Sequence, residues 1–164
     1  MAIETAIDAI TYSLVGGALL VAAFWDVKTR RIPNQISLFL IALFVGTTAA
    51  RILQGSDPVE TVFLPLAGGA AVFAGTFFLF WRGYLGGGDA KLLTVLALFT
   101  PFSLILPMLW IMAVAGGVLA LTTLIWTRIK DRKVTVPYGV AITIAGLWVC
   151  LQEVALVTTL TANA

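Results

Sequence analysis

From Leu92 to Thr127 the chain carries no charged side chain, and this is the longest of its charge-free runs. A helix needs about 20 apolar residues to cross a hydrocarbon layer of roughly 30 Å. A run of 36 residues is therefore too long for one span and far too apolar for water. Composition agrees: 60% of residues are hydrophobic, 11% are charged, and the mean hydropathy is +1.04. A soluble domain carries roughly 25% charge. The apolar runs are continuous rather than alternating, which favours membrane helices over barrel strands.

The charge-free windows place six helices. They are Ile10–Trp25, Ile36 to about Leu53, Thr61–Trp81, a short one over Asp89–Thr100, Leu104–Trp126, and Tyr138–Leu160. The break inside the long run falls at Thr100-Pro101-Phe102-Ser103. Proline cannot continue the helical ladder there, and threonine and serine favour turns. Treating Leu92–Trp126 as one kinked span gives five helices instead. Glu4 and Asp8 precede the first run with no basic residue, so it reads as a retained helix and not as a signal peptide. The expected fold is an all-α polytopic bundle of six transmembrane helices. It forms a single integral-membrane domain over residues 1–164.

Orientation follows the basic residues. Lys28, Arg30, Arg31, Arg82, Lys91, Arg128, Lys130, Arg132 and Lys133 all fall in loops of one side, and only Arg51 falls on the other, with Asp57 and Glu60. The odd loops are thus expected in the cytoplasm and both termini outside it. Five spans would put the Arg128–Lys133 cluster on the wrong face. Ala67, Ala71 and Gly75, Gly16 and Gly17, and Gly116, Gly117 and Ala120 are spaced for close helix packing.

The chemistry has few carriers. There is no histidine, and Cys150 is the one cysteine. This removes internal disulfides, CxxC zinc modules, HExxH metalloproteases, serine–histidine catalysis and histidine relays. Among the acidic residues, Glu4, Asp8, Asp57 and Asp131 read as solvated loop charges. Glu153 is an intruder in the last helix and could end it early. Asp26 closes the first helix and Asp89 opens the fourth, at one face and similar depth. Ionisable groups at such a boundary are functional candidates. Two carboxylates in proximity cannot both ionise cheaply, so one holds a proton while the other acts as base. The alternative is structural: Asp89 caps a helix and Asp26 pairs with Arg30. Gly86-Gly87-Gly88 permits positive φ and leaves the backbone bare for an extended substrate, or serves as a hinge. It lacks the Lys-Ser/Thr pair of a phosphate loop.

Together these motifs resemble those of the type IV prepilin peptidases, the GxGD-type membrane aspartic peptidases. Asp26 with Arg30-Arg31-Ile32-Pro33-Asn34 is similar to their D-x(n)-R-x-I-P-N signature. Gly86-Gly87-Gly88-Asp89-Ala90-Lys91 is similar to GxGD-x-K. Val136-Pro137-Tyr138-Gly139-Val140-Ala141 is similar to the short segment opening their last helix. The resemblance covers nearly the whole chain and implies a leader peptidase of the bacterial inner membrane, working at its cytoplasmic face on prepilins or pseudopilins. It implies Asp26 and Asp89 as the catalytic pair. Gly86, Gly87, Gly88, Lys91, Arg30, Pro33, Asn34, Pro137 and Tyr138 would support the site or the substrate. No metal, cofactor or nucleic acid is implied. The expected partners are the prepilin, membrane lipid and the pilus-assembly machinery. Larger relatives carry a cysteine-bearing N-terminal domain and methylate the new pilin end. This chain starts at a span, so it resembles the minimal peptidases of tight-adherence (Flp) pili, without a soluble methyltransferase domain. Archaeal preflagellin peptidases share the same GxGD logic. Two other classes remain open: a small transporter using the aspartates as carriers, and a non-catalytic assembly component.

Overall fold

A computed structural model describes residues 2–130 and 136–162. Within them the chain is all-helical, in the order α1 (Ala2–Thr29), α2 (Asn34–Leu53), α3 (Leu64–Trp81), α4 (Gly87–Leu98), α5 (Phe102–Lys130) and α6 (Tyr138–Ala162). A five-residue π-helical turn, Val59–Phe63, leads into α3. Among the described residues five helical stretches are long and apolar enough to cross a membrane: Glu4–Thr29, Asn34–Leu53, Val59–Trp81, Phe102–Thr127 and Tyr138–Thr159. The sixth helix, α4, has 12 residues and reaches about 18 Å at 1.5 Å per residue. The chain breaks at Phe99-Thr100-Pro101, so a single span over Leu92–Trp126 is excluded. Residues 131–135, which hold Asp131, Arg132 and Lys133, lie outside the described part.

Four expectations need correction. Glu4 and Asp8 are not loop charges: both lie inside α1, which starts at Ala2 and not at Ile10, and Asp8 forms an ion pair with Arg51 of α2. Glu153 does not end the last helix, which continues to Ala162. Ala67, Ala71 and Gly75 face outward. The packed face of α3 is Gly68, Gly69, Val72 and Thr76, one position further round. There the missing side chains matter: a Cβ on Gly69 would stand 2.5 Å from Leu98 Cδ2 of the α4 end, and one on Gly68 would stand 2.5 Å from Ile105 Cδ1 of α5. Gly69→Val is accordingly expected to cost about 1–3 kcal/mol by overpacking, read as a lower unfolding temperature in detergent. Lastly, Gly86, Gly87 and Gly88 do not use left-handed backbone. The positive-φ glycines are Gly55 and Gly83.

The helices pack as two groups. α1 lies along α6, and α6 along α5; α4 lies along α3. α2 joins the groups by touching both α1 and α4, and α4 also meets α6. α1 and α4 share no extended packing among the described residues. Their contact is through side chains: Gly146 of α6 leaves room for Leu19 of α1 and Leu96 of α4, 2.5 and 2.9 Å from where its Cβ would be. Val15, Leu19, Leu92, Leu93, Leu96 and Ile142 are sealed at 0–1% exposure and form the middle of the core. In lipid such packing acts by dispersion and shape, because the surrounding tails are equally apolar.

Candidate active site

Asp26 lies one turn before the end of α1. α1 stops because Arg30 turns left-handed, at φ 55°, while its N–H still bonds Asp26 O at 2.8 Å. Such a conformation is uncommon for a residue with a Cβ. Arg31-Ile32-Pro33 then crosses to α2, with extended Pro33 immediately before the first helical residue, Asn34. Arg30 therefore serves this turn through its backbone, and its side chain is exposed.

The Asp26 side chain is 6% exposed. A buried carboxylate in apolar surroundings requires a hydrogen-bond donor. Its partner is the Gly139 amide of α6, which donates to Asp26 Oδ2 at 2.8 Å. That amide belongs to the first turn of α6, where backbone N–H groups have no helical partner. The contact requires glycine: a Cβ on Gly139 would lie 2.8 Å from Asp26 Oδ2 and 2.9 Å from Asp26 Cβ. Asp26 is thus held by α6, not by an ion pair to Arg30 as the structural alternative supposed.

Asp89 is the third residue of α4 and half-buried. It is not the N-cap, a position taken by Gly86. Its carboxylate folds back over Gly86 and is near enough to Asp26 to feel that charge. Again the neighbour must be glycine, since a Cβ on Gly86 would meet Asp89 Oδ2 at 2.7 Å. The glycine run works by smallness. Gly87 lies against the Phe80 ring, with its Cβ position 3.2 Å from Cε2, and Gly88 lies under Ile32, 3.4 Å from its Cβ.

The three motifs therefore meet at one end of the bundle. Ile32 sits on Gly88, Gly139 holds Asp26, and Lys91 Nζ donates to Asn34 Oδ1 at 3.2 Å, tying α4 to α2. Lys91→Ala removes an exposed tie between two polar groups. Its expected effect is less than about fivefold on turnover, measured on a synthetic substrate peptide, since exposed polar contacts contribute about 1 kcal/mol or less. Pro137 precedes α6 and its carbonyl accepts Val140 N–H at 3.2 Å. Tyr138 points its ring at Gly116 of α5, 3.4 Å from that Cβ position, so it seats α6 on α5. Sequence reasoning quoted Gly139 in the motif without giving it a role. The signal was a glycine in the first turn of a long apolar helix, where it weakens the helix and so needs another reason. No group of acidic or cysteine side chains that could hold a metal ion occurs among the described residues.

At the opposite end of the bundle is a second polar space. The early end of α4 leaves a cavity of about 590 Å³ whose lining includes Asp8, Tyr12, Arg51, Glu60, Thr100 and Glu153.

No curated protein and no solved structure matches the chain. A family model does, over residues 13–121, a stretch that includes both aspartates and the glycine run. This chain belongs to the type IV leader peptidase family, a family of proteases.

Proposed function

We propose that the protein is a membrane aspartic endopeptidase that removes the basic leader from type IV, Flp-like prepilins or pseudopilins. The observation that carries this reading is that the segments holding Asp26 and Asp89, 63 residues apart in sequence, come together at one end of the bundle, where Ile32 packs on Gly88 and Lys91 bonds Asn34. In the reaction one carboxylate, ionised, takes a proton from water as the oxygen attacks the scissile carbonyl. The other, protonated, gives its proton to the leaving nitrogen as the C–N bond breaks. The products are a new carboxylate and a new amine, and the pair ends with its proton exchanged. Gly86 is exposed and without a side chain, so a substrate can approach the pair closely from that side.

Membership of the leader peptidase family supports the substrate class. Lys28, Arg82 and Lys91 cluster with the aspartates, which supports a cytoplasmic site on the positive-inside rule. On this reading the short α4 completes six membrane segments, both termini are extracytoplasmic, and the protein resides in the bacterial inner membrane. The sealed leucine layer speaks against a transporter, which needs a polar path between faces.

The test is co-expression with a tagged Flp-type prepilin, read by gel mobility and by N-terminal sequencing of the product. The wild type should cleave, and Asp26→Asn and Asp89→Asn should not. Equal processing by all three would sink the two-aspartate mechanism and favour an assembly role.

A further inference from the structure

The two aspartates belong to different helix groups, and the helices that carry them lack extended packing on each other. Their relative placement runs through α2 and α6, which touch both, and through any direct link between them. α1 and α4 run antiparallel, so a link at their far ends controls the near ends. Such a link is present. Tyr12, 14 residues before Asp26, donates its hydroxyl to the Phe99 carbonyl at 3.2 Å, just beyond the last residue of α4. The bond is buried, and Tyr12 is 8% exposed. The Leu96 and Ala97 carbonyls accept from Phe99 N and Thr100 N, whereas the Phe99 carbonyl lies past the end of the helix, and a carbonyl left bare at membrane depth is costly. The same hydroxyl stands 3.5 Å from Glu153 Oε2 of α6, and the Arg51–Asp8 pair lines the same cavity.

We propose, resting on the peptidase reading, that Tyr12 is a positioning residue: its bond to Phe99 fixes α4 against α1 and so fixes Asp89 against Asp26. The lever is simple. Asp89 lies about 15 Å from Phe99 along α4, so a tilt of about four degrees moves Asp89 by about 1 Å. A misplacement of that size can cost on the order of 10²-fold in rate.

The test compares purified Tyr12→Phe and Gly146→Ala with wild type on a prepilin peptide. Tyr12→Phe deletes the far link and keeps the ring. Gly146→Ala wedges Leu19 and Leu96 apart in the middle of the same interface. Both should lower kcat by about tenfold or more, with KM within about twofold. Thr76→Val is the control. Its hydroxyl bonds within α3 and faces Thr94 of α4, inside one helix group, so its loss should leave kcat unchanged. A second readout needs no substrate: spin labels at Lys28→Cys and Tyr84→Cys report the spacing of the two groups. Their distance distribution should shift or broaden with Tyr12→Phe and stay fixed with Thr76→Val. Wild-type kcat and an unchanged distribution in Tyr12→Phe would overturn the proposal. So would kcat losses that follow melting temperature equally in all three variants. Failure of the peptidase reading shows separately, as Asp89→Asn cleaving like wild type.

Discussion

Asp26→Asn and Asp89→Asn are each expected to reduce the rate of leader cleavage by about 10²–10⁴-fold, with little change in folding. The size follows from the chemistry. In the proposed mechanism each carboxylate has a proton-transfer role, such roles contribute about 10²–10⁴-fold, and an amide can neither accept nor release the proton. The structural cost is small because asparagine keeps the shape. At position 26 its carbonyl oxygen can still accept the Gly139 amide, which now bonds Asp26 Oδ2 at 2.8 Å. Melting temperatures in detergent should therefore stay near wild type while turnover disappears. The double variant should be scarcely slower than either single one, since two groups that act as a unit are lost together. A tenfold difference between the double and the singles would show that the carboxylates act independently.

Gly139→Ala should have the next largest effect. An added Cβ would stand 2.8 Å from Asp26 Oδ2, 2.9 Å from its Cβ and 3.0 Å from its Cγ. No flexible tip is available to give way, so either α6 or the end of α1 must move. The expected loss is about 10²-fold in turnover, with about 1–3 kcal/mol of stability. Gly86→Ala meets only the movable tip of Asp89, Oδ2 at 2.7 Å, so it should cost little stability and act on turnover by turning that carboxylate, with a loss smaller than that of Gly139→Ala. Gly88→Ala, where the nearest atom is Ile32 Cβ at 3.4 Å, should stay within about threefold of wild type. Measuring kcat for the three alanine variants on one peptide tests the ranking. A uniform loss would mean that the glycines matter for flexibility and not for room.

The helices were legible because their cause is local. Apolar runs of spanning length and a proline at 101 are visible in one dimension, and the observed helices begin and end near them, except that α1 starts at Ala2, well before its apolar run. The meeting of the three motifs was legible only as a resemblance, since spacing alone left Asp26 open to an ion pair with Arg30. Gly139 went unassigned because its role depends on α6 starting beside the end of α1, a tertiary fact with no periodicity to announce it. The outward face of Ala67, Ala71 and Gly75 was misread for a related reason. Small residues recur on both sides of α3, and only the neighbours decide which side is packed. Asp8 was read as a solvated loop charge and Arg51 as the end of the second helix, whereas the approach of α1 to α2 pairs them.

The sealed layer of Leu19, Leu92, Leu93, Leu96 and Ile142 between the two polar ends also has an electrical meaning. A bilayer potential drops mainly where no water or mobile charge reaches, and that is this layer. Each elementary charge crossing it would exchange about 2.3 kcal/mol per 100 mV with the field. Because the layer is closed, the proposed mechanism would keep the water consumed at the aspartates, and the proton they pass between them, on one side. Hydrolysis on that reading would run inside an energised membrane without discharging it.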